Sequence, residues 1–447
     1  MSLNPEDMTE VNQEMIDGVW SDDPSIQLEN ASKFRYALSH ADDPPVAKIV
    51  ESGVVPRFVE FLKKEDNIEI QYAAACVLRM VSEGNTKVII DHGVIQIFVR
   101  LLGRATSRVH LRFQATLALG NVARASVESR NIVLLRGAMG PVLAQLKENT
   151  EIWMLTTAAR TLLHLCAGLP RPPFHQIGSH VLAALQRVLH KDDEYFLSNA
   201  CTALYFLADG SKQNIQTFIN ADIVPRLVQL LGHVSPSVIE PVVSTILYLS
   251  NGIKQQTKVL IECGVLPLLA NLLTTQGNDT RWKNIKRNAC WTISMITAGT
   301  EEQIQAVIDA NLIPTLVNLA QNPELEIKEK VVRAISNATS GGSHDQTKYL
   351  VEQGCIKPLC DLLVCPNVRI ISACLNGLER ILMAGEVEKN TTGDVNLYSQ
   401  MIGDAEGKEK IENLQQHESR EVNEKALKIV ETYWKKEDDD QTQQPPR

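Results

Sequence analysis

Ser343, His344 and Asp345 place the three side-chain types of a nucleophile, base and orienter on consecutive residues. That spacing defeats the chemistry. Neighbouring side chains diverge from the backbone, so hydroxyl, imidazole and carboxylate cannot form one hydrogen-bonded row. Other reactive groups are equally dispersed. The sequence holds no phosphate-cradling Gly-rich loop, no His-Glu-x-x-His and no Gly-x-Ser-x-Gly elbow. Cys355, Cys360 and Cys365 are evenly spaced, but no second Cys-x-x-Cys or His pair completes a zinc set. The nine cysteines sit mostly in apolar helical patterns, as at Cys76 and Cys290. They read as small buried residues of a reducing compartment. Asn390-Thr391-Thr392 fits a glycosylation sequon, which a cytosolic or nuclear chain would not use. No catalysis, cofactor or metal is expected.

Composition narrows the partners. The 447 residues carry a net charge of −9, with 44% hydrophobic and only 5% aromatic residues. An acidic chain lacks the basic face that nucleic acid requires, and a basic protein partner suits it better. No apolar run approaches the roughly 20 residues of a membrane span. Met1–Glu14 has neither the basic nor the apolar region of a secretory signal.

The elements that would position any binding residue follow from a repeat. Gly53-Val-Val-Pro-Arg-Phe-Val-Glu-Phe-Leu returns as Gly93-Val-Ile-Gln-Ile-Phe-Val-Arg-Leu-Leu and as Gly137-Ala-Met-Gly-Pro-Val-Leu-Ala-Gln-Leu. Later copies begin at Asp222, Gly264, Asn311 and Gly354, and one degenerate unit lies near Ile177–Leu189. The mean period is about 43 residues, within the armadillo and HEAT range. Each copy is followed by a second Ala/Leu-rich helical pattern, as in Gln71–Ser82, Arg112–Ala123, Asn199–Ala208 and Lys286–Thr297. The turn residue suits a left-handed helix end, and Pro suits the next first turn. The expected fold is all-α: an armadillo-repeat superhelical solenoid of about nine to ten three-helix units, right-handed as that class is. Residues 25–434 would form it, between an acidic disordered segment 1–24 and a disordered acidic and polar tail 435–447. Met383–Val395 reads as a long polar loop, and Ser340–Asp345 as a shorter one between helices.

Longer phrases then resemble one family. Trp291-Thr-Ile-Ser, Thr297-Ala-Gly, Gln303-Ile-Gln-Ala-Val-Ile-Asp-Ala-Asn and Ile335-Ser-Asn-Ala-Thr-Ser-Gly-Gly-Ser-His-Asp-Gln are similar to importin-α. So are Gln353-Gly-Cys-Ile-Lys-Pro-Leu-Cys, Gly393-Asp-Val-Asn and Ala426-Leu-Lys-Ile-Val-Glu-Thr-Tyr-Trp, from about Ser25 to Trp434 and nearest the plant-type members. The resemblance implies a nuclear import adaptor, present in cytoplasm and nucleus. It would bind the localisation signals of cargo proteins in a concave groove lined by the third helix of each repeat. In the family, Trp rings hold lysine stems while Asn side chains bond the peptide backbone.

The sequence departs from that pattern. Successive Trp/Asn places hold Cys76 and Met80, Leu117 and Asn121, Arg160 and His164, Thr202 and Phe206, Ser244 and Tyr248, Trp291 and Met295, and Arg333 and Asn337. The family's lysine-receiving Asp falls at Ala125, after Arg124, and a groove Glu falls at Lys330. The peptide-binding candidates are therefore Asn121, Trp291 and Asn337, with Ser340 and Asp345 on the adjoining loop. Classical signal binding is expected to be weak. The first 32 residues hold eight Asp or Glu and no Lys or Arg, so the basic importin-β-binding arm is missing and importin-β is not an expected partner. The C-terminal repeats keep the pattern through which the family meets its export carrier. Two alternatives stay open: a scaffold for a non-classical partner on the same solenoid, and a near-inactive duplicated paralogue.

Overall fold

The computed structural model describes residues 10–104, 107–208, 211–277, 279–393 and 395–434. Every regular element among them is helical. The chain divides into two compact units, Met1–Leu207 and Ala208–Arg447.

The first unit opens with α1 (Gln13–Trp20) and α2 (Pro24–His40). Its repeats then end in the long helices α3 (Ile68–Gly84), α4 (Val109–Ala125), α5 (Ile152–Cys166) and α6 (Glu194–Leu207). In the second unit the corresponding helices are α7 (Pro236–Ser250), α8 (Thr280–Thr297), α9 (Leu325–Gly341), α10 (Val368–Thr392) and α11 (Arg420–Tyr433). Within each unit, every long helix packs along its predecessor, with shorter helices stacked behind. This is the armadillo arrangement the period implied.

Small and branched apolar residues at helical spacing make the stacking possible. Ala74, Leu78, Ala118, Leu119, Ala203, Leu204 and Ile335 are all completely buried. Each buried Leu or Ile contributes about 1.5–3 kcal/mol. The seven repeated turn residues Gly53, Gly93, Gly137, Asp222, Gly264, Asn311 and Gly354 all have positive φ, as their position between helices requires. Pro56 and Pro225 lie in the first turn of the helix that follows. The degenerate unit holds a single helix, Phe174–Gln186, before α6.

A ladder of glutamines joins neighbouring repeats in the second unit. Gln256, Gln303 and Gln346 are buried at the third position of their helices. Their Nε2 groups donate to the carbonyls of Lys212 (2.9 Å), Lys254 (2.8 Å) and Glu301 (3.0 Å) in the preceding repeat. These buried polar groups are thus satisfied across the repeat boundary.

Three expectations are corrected. The segment 1–24 is not wholly unstructured, because α1 forms within it. Asn12 caps α1 by accepting from the Met15 N–H at 3.0 Å, and Met15 and Val19 are buried against α2. Arg57 closes its far end, with Nε donating to the Val19 carbonyl at 2.9 Å and the guanidinium 5.5 Å from the Trp20 ring. An eight-residue helix inside an acidic stretch has too few apolar positions to stand out as a period. Residues 1–9 and the tail 435–447, also expected to be disordered, lie outside the described residues.

The second correction concerns Met383–Val395. α10 continues to Thr392 before Gly393, at φ 77°, ends it. The buried Asn396 folds back on this helix. Its Nδ2 donates to the Leu382 carbonyl (3.1 Å) and to Glu386 Oε1 (2.8 Å), and its Oδ1 accepts from the Ser399 N–H (3.1 Å). Gly385 makes room for this crossing, since a Cβ there would meet Asn396 Oδ1 at 2.0 Å. Gly385→Ala should therefore lower stability by about 1–3 kcal/mol, although alanine favours helices. Urea unfolding of wild type and variant checks this; an unchanged midpoint would refute the close approach.

The third correction concerns Ser340–Asp345. Ser340 belongs to α9 and Asp345 to the helix His344–Glu352, so only Gly342 and Ser343 separate the helices. Ser343 and Gln346 form a reciprocal capping box across that turn.

Candidate peptide-binding groove

The long helices present the places compared above, and the second unit shows the clearest geometry. Trp291 projects from α8. Lys330, Arg333 and Asn337 follow at spacings of three and four residues on α9, so they share one helix face. The Lys330 ammonium lies 4.3 Å from the centroid of the Trp291 ring. It is also 3.1 Å from Glu329 Oε1, which receives Arg333 at 3.2 Å. The side chains of Lys330 and Glu329 are only 13% and 15% exposed. An aromatic face with a carboxylate beside it is a lysine clamp, and here the chain's own lysine fills it.

Asn337 is partly engaged: its Nδ2 donates to the Ser294 carbonyl at 2.9 Å, leaving one N–H and its Oδ1. Nearby carboxylates are spent as well. Glu240 pairs with Arg281 at 3.1 Å and accepts from Asn284 at 3.0 Å. Glu324 pairs with Lys283 at 2.6 Å, and Glu326 with Arg287 at 2.7 Å. These bridges tie α7, α8 and α9 together.

The triad-like residues separate. Ser343 caps a helix, the His344 ring contacts Glu388 at 3.1 Å, and Asp345 is exposed in its helix's first turn. Ser340 is exposed at the end of α9. Cys355 and Cys360 are buried, and desolvation pushes both thiols up to about 12, which makes them poor nucleophiles.

In the first unit, α4 and α5 carry the corresponding face. Asn121 Nδ2 donates to Ser82 Oγ at 3.2 Å. Arg124 and Arg160 are exposed, and the half-buried His164 lies near both. Burial, then Arg160 and then Arg124 lower the His164 pKa to about 4, opposed by a hydrogen bond to the Gly120 backbone. Its Nδ1 has no partner among the described residues. The imidazole is therefore neutral in the folded chain at neutral pH, whereas an unfolded His titrates near 6.5. As pH falls through 6.5 the unfolded state gains a proton that the folded state takes up only near 4, so stability drops across that window. Allowing for partial exposure, this amounts to roughly 1–2 kcal/mol. His164→Phe should melt with a shallower loss between those pH values. Parallel thermal melts decide it, and curves of equal slope would show that His164 is not the group responsible. An aromatic cluster on the same helices was not singled out from sequence: Trp153 stacks with His110 at 6.2 Å and meets Phe113 edge-on at 5.1 Å. Trp153 lies 40 or more positions from both partners, so no local motif reveals it.

Comparison with known proteins fits this architecture. Armadillo/beta-catenin-like repeats match residues 42–79, 82–124, 211–251, 254–298, 300–340 and 343–383, and an atypical Arm repeat matches 396–447. Importin subunit alpha-1b of Oryza sativa subsp. japonica is 50% identical over 95% of this chain and 79% of its own length. Importin subunit alpha-2 of Arabidopsis thaliana is 53% identical, over 95% and 79%. The chain belongs to the importin subunit alpha family. Importin subunit alpha-8 of Arabidopsis thaliana is 44% identical over 96% of this chain and 94% of its own length.

Solved structures agree on the fold of this family member. An engineered protein superposes with a TM-score of 0.77 over 96% of this chain and 98% of its own, at 23% identity. A designed armadillo repeat protein in complex with the peptide (KR)4 covers 56% of the chain and 99% of its own, with a TM-score of 0.50 and 29% identity.

Proposed function

We propose that this importin-α family member is a protein-binding transport adaptor whose groove no longer favours classical basic localisation signals. Its cargo would lie along the faces carrying Asn121, Trp291 and Asn337, with Ser340 and Asp345 as exposed rim contacts. An adaptor of this kind moves between cytoplasm and nucleus with its cargo, and it performs no catalysis. The observation that carries the weakened-groove reading is Lys330 on Trp291. A visiting lysine would have to displace a cation already stacked on the ring and paired with Glu329. The designed armadillo repeat protein in complex with the peptide (KR)4 supports the idea that a protein of this fold can bind a basic peptide.

Titrating a labelled bipartite basic peptide into the full chain, at physiological salt, tests the reading. Affinity weaker than about micromolar is expected, since losing several contacts of about 0.5–2 kcal/mol each costs orders of magnitude. Submicromolar, saturable binding would overturn it.

A further inference from the structure

A cavity of about 340 Å³ lies between α9 and α10, beside the start of α11. Arg333, Asn337, Arg369, Ser372, Asn376 and Glu421 line it. Its chemistry differs from that of the Trp291 clamp. Arg333 shares its charge with Glu329 at 3.2 Å. Arg369 has no carboxylate within ion-pair distance among the described residues, and its guanidinium makes no hydrogen bond there. The Asn376 carboxamide is equally uncommitted.

Ser372 provides an independent sign. Most hydroxyls on these long helices bond back to the carbonyl one turn earlier. Thr116 donates to Arg112 (2.8 Å), Ser244 to Glu240 (2.7 Å) and Thr292 to Asn288 (2.9 Å). Ser372 Oγ is buried and has no partner among the described residues. A buried hydroxyl without a partner is costly to keep, and this one lies beside two guanidinium groups and two carboxamides.

We propose that this cavity receives the carboxylate of an aspartate or glutamate side chain on an extended acidic segment of a partner protein. Arg369 supplies the uncompensated charge and can bind a carboxylate through two parallel N–H groups. Ser372 donates its hydroxyl, and Asn337 and Asn376 offer amide N–H groups to the ligand or its flanking backbone. Glu421 stands on the wall as the one opposing carboxylate, and it excludes anions from its own side of the cavity. The site goes beyond the adaptor reading, because it specifies the sign of the ligand in a groove whose lysine clamp is already occupied. The charge pattern of the first unit agrees: Arg124 and Arg160 are exposed and without a carboxylate in ion-pair reach among the described residues.

Fluorescence anisotropy on the full chain tests this with three labelled peptides of equal length. They alternate alanine with glutamate, glutamine or lysine. The glutamate peptide should bind about tenfold or more tighter than the glutamine peptide at low salt, and the margin should shrink as salt rises. Arg369→Glu should abolish that margin, and Ser372→Ala should reduce it about two- to fivefold. Neither variant should melt below wild type, since Arg369 is exposed and makes no bridge and Ser372→Ala removes a hydroxyl that makes no bond. Equal affinity for the glutamate and glutamine peptides would overturn the proposal. So would a glutamate peptide that binds Arg369→Glu as tightly as wild type, or a preference for the lysine peptide.

Discussion

Lys330→Glu should raise the affinity of this chain for a lysine-rich peptide by roughly ten- to hundredfold. Two effects act in the same direction. Removing the ammonium frees the Trp291 face, now covered at 4.3 Å. A cation on an aromatic face is worth about 0.5–2 kcal/mol, more when partly desolvated. Reversing the charge then places a second carboxylate beside Glu329, and two adjacent carboxylates gain by binding an ammonium between them. Lys330→Ala should show only the first effect, at about tenfold or less. Adding Trp291→Ala to Lys330→Glu should return most of the gain. Anisotropy titrations of the same basic peptide against the three variants measure all of this. If Lys330→Glu binds no better than wild type, the lysine is not what closes the clamp.

The largest stability effect is expected in the other unit. Arg130 is 2% exposed, on the helix Val127–Leu135. Its guanidinium donates to the carbonyls of Ala167 and Pro170, the latter at 2.7 Å, and to Asn131 Oδ1 at 2.8 and 3.1 Å. Burial lowers its pKa below the ordinary arginine value, but a guanidinium stays charged at neutral pH. These carbonyls follow the end of α5, where the degenerate repeat leads into the single helix Phe174–Gln186. Arg130 thus caps a helix end and holds the connection that replaces a missing helix. Arg130→Met keeps much of the volume and leaves buried carbonyls without donors. The expected cost is about 2–4 kcal/mol, or a melting temperature lower by roughly 5–15 °C. Arg130→Lys should recover only part of it, because one ammonium cannot span acceptors that a planar fork reaches together. Calorimetry on the three proteins decides the point, and a melting temperature for Arg130→Met within about a degree of wild type would remove Arg130 from the role.

Neither residue was equally visible in the sequence. Lys330 could be placed opposite a family glutamate, and that placement suggested repulsion. It could not show that the lysine lies on Trp291, because the two are separated by nearly a repeat and meet only through the packing of α9 on α8. Arg130 carries no local signal, since an arginine in a helix is ordinarily solvated. Ser372 and Arg369 were similarly silent: nothing local distinguishes a serine that bonds back along its helix from one left without a partner beside a cavity. The helix α1 and the continuation of α10 through Glu386–Lys389 were missed for another reason. Asn12, Arg57 and Asn396 hold them by acting across turns, and the apolar positions within the segments, such as Met15 and Val19, are too few to stand out as a period.

What could be read directly was everything that depends on short range. Left-handed turn residues, prolines in first turns and apolar faces at helical spacing are properties of a few consecutive positions. They recur about every 43 residues, so repetition multiplied a weak signal until the armadillo class followed. The residue types at the groove places were legible in the same way. The state of those places was decided by tertiary structure alone. Trp291 is already covered, Asn337 is half engaged, the nearby glutamates are paired and Arg369 is left open. Each of these depends on a neighbour one repeat away, brought into reach by helix packing, and no spacing along the chain encodes the distance between two such side chains.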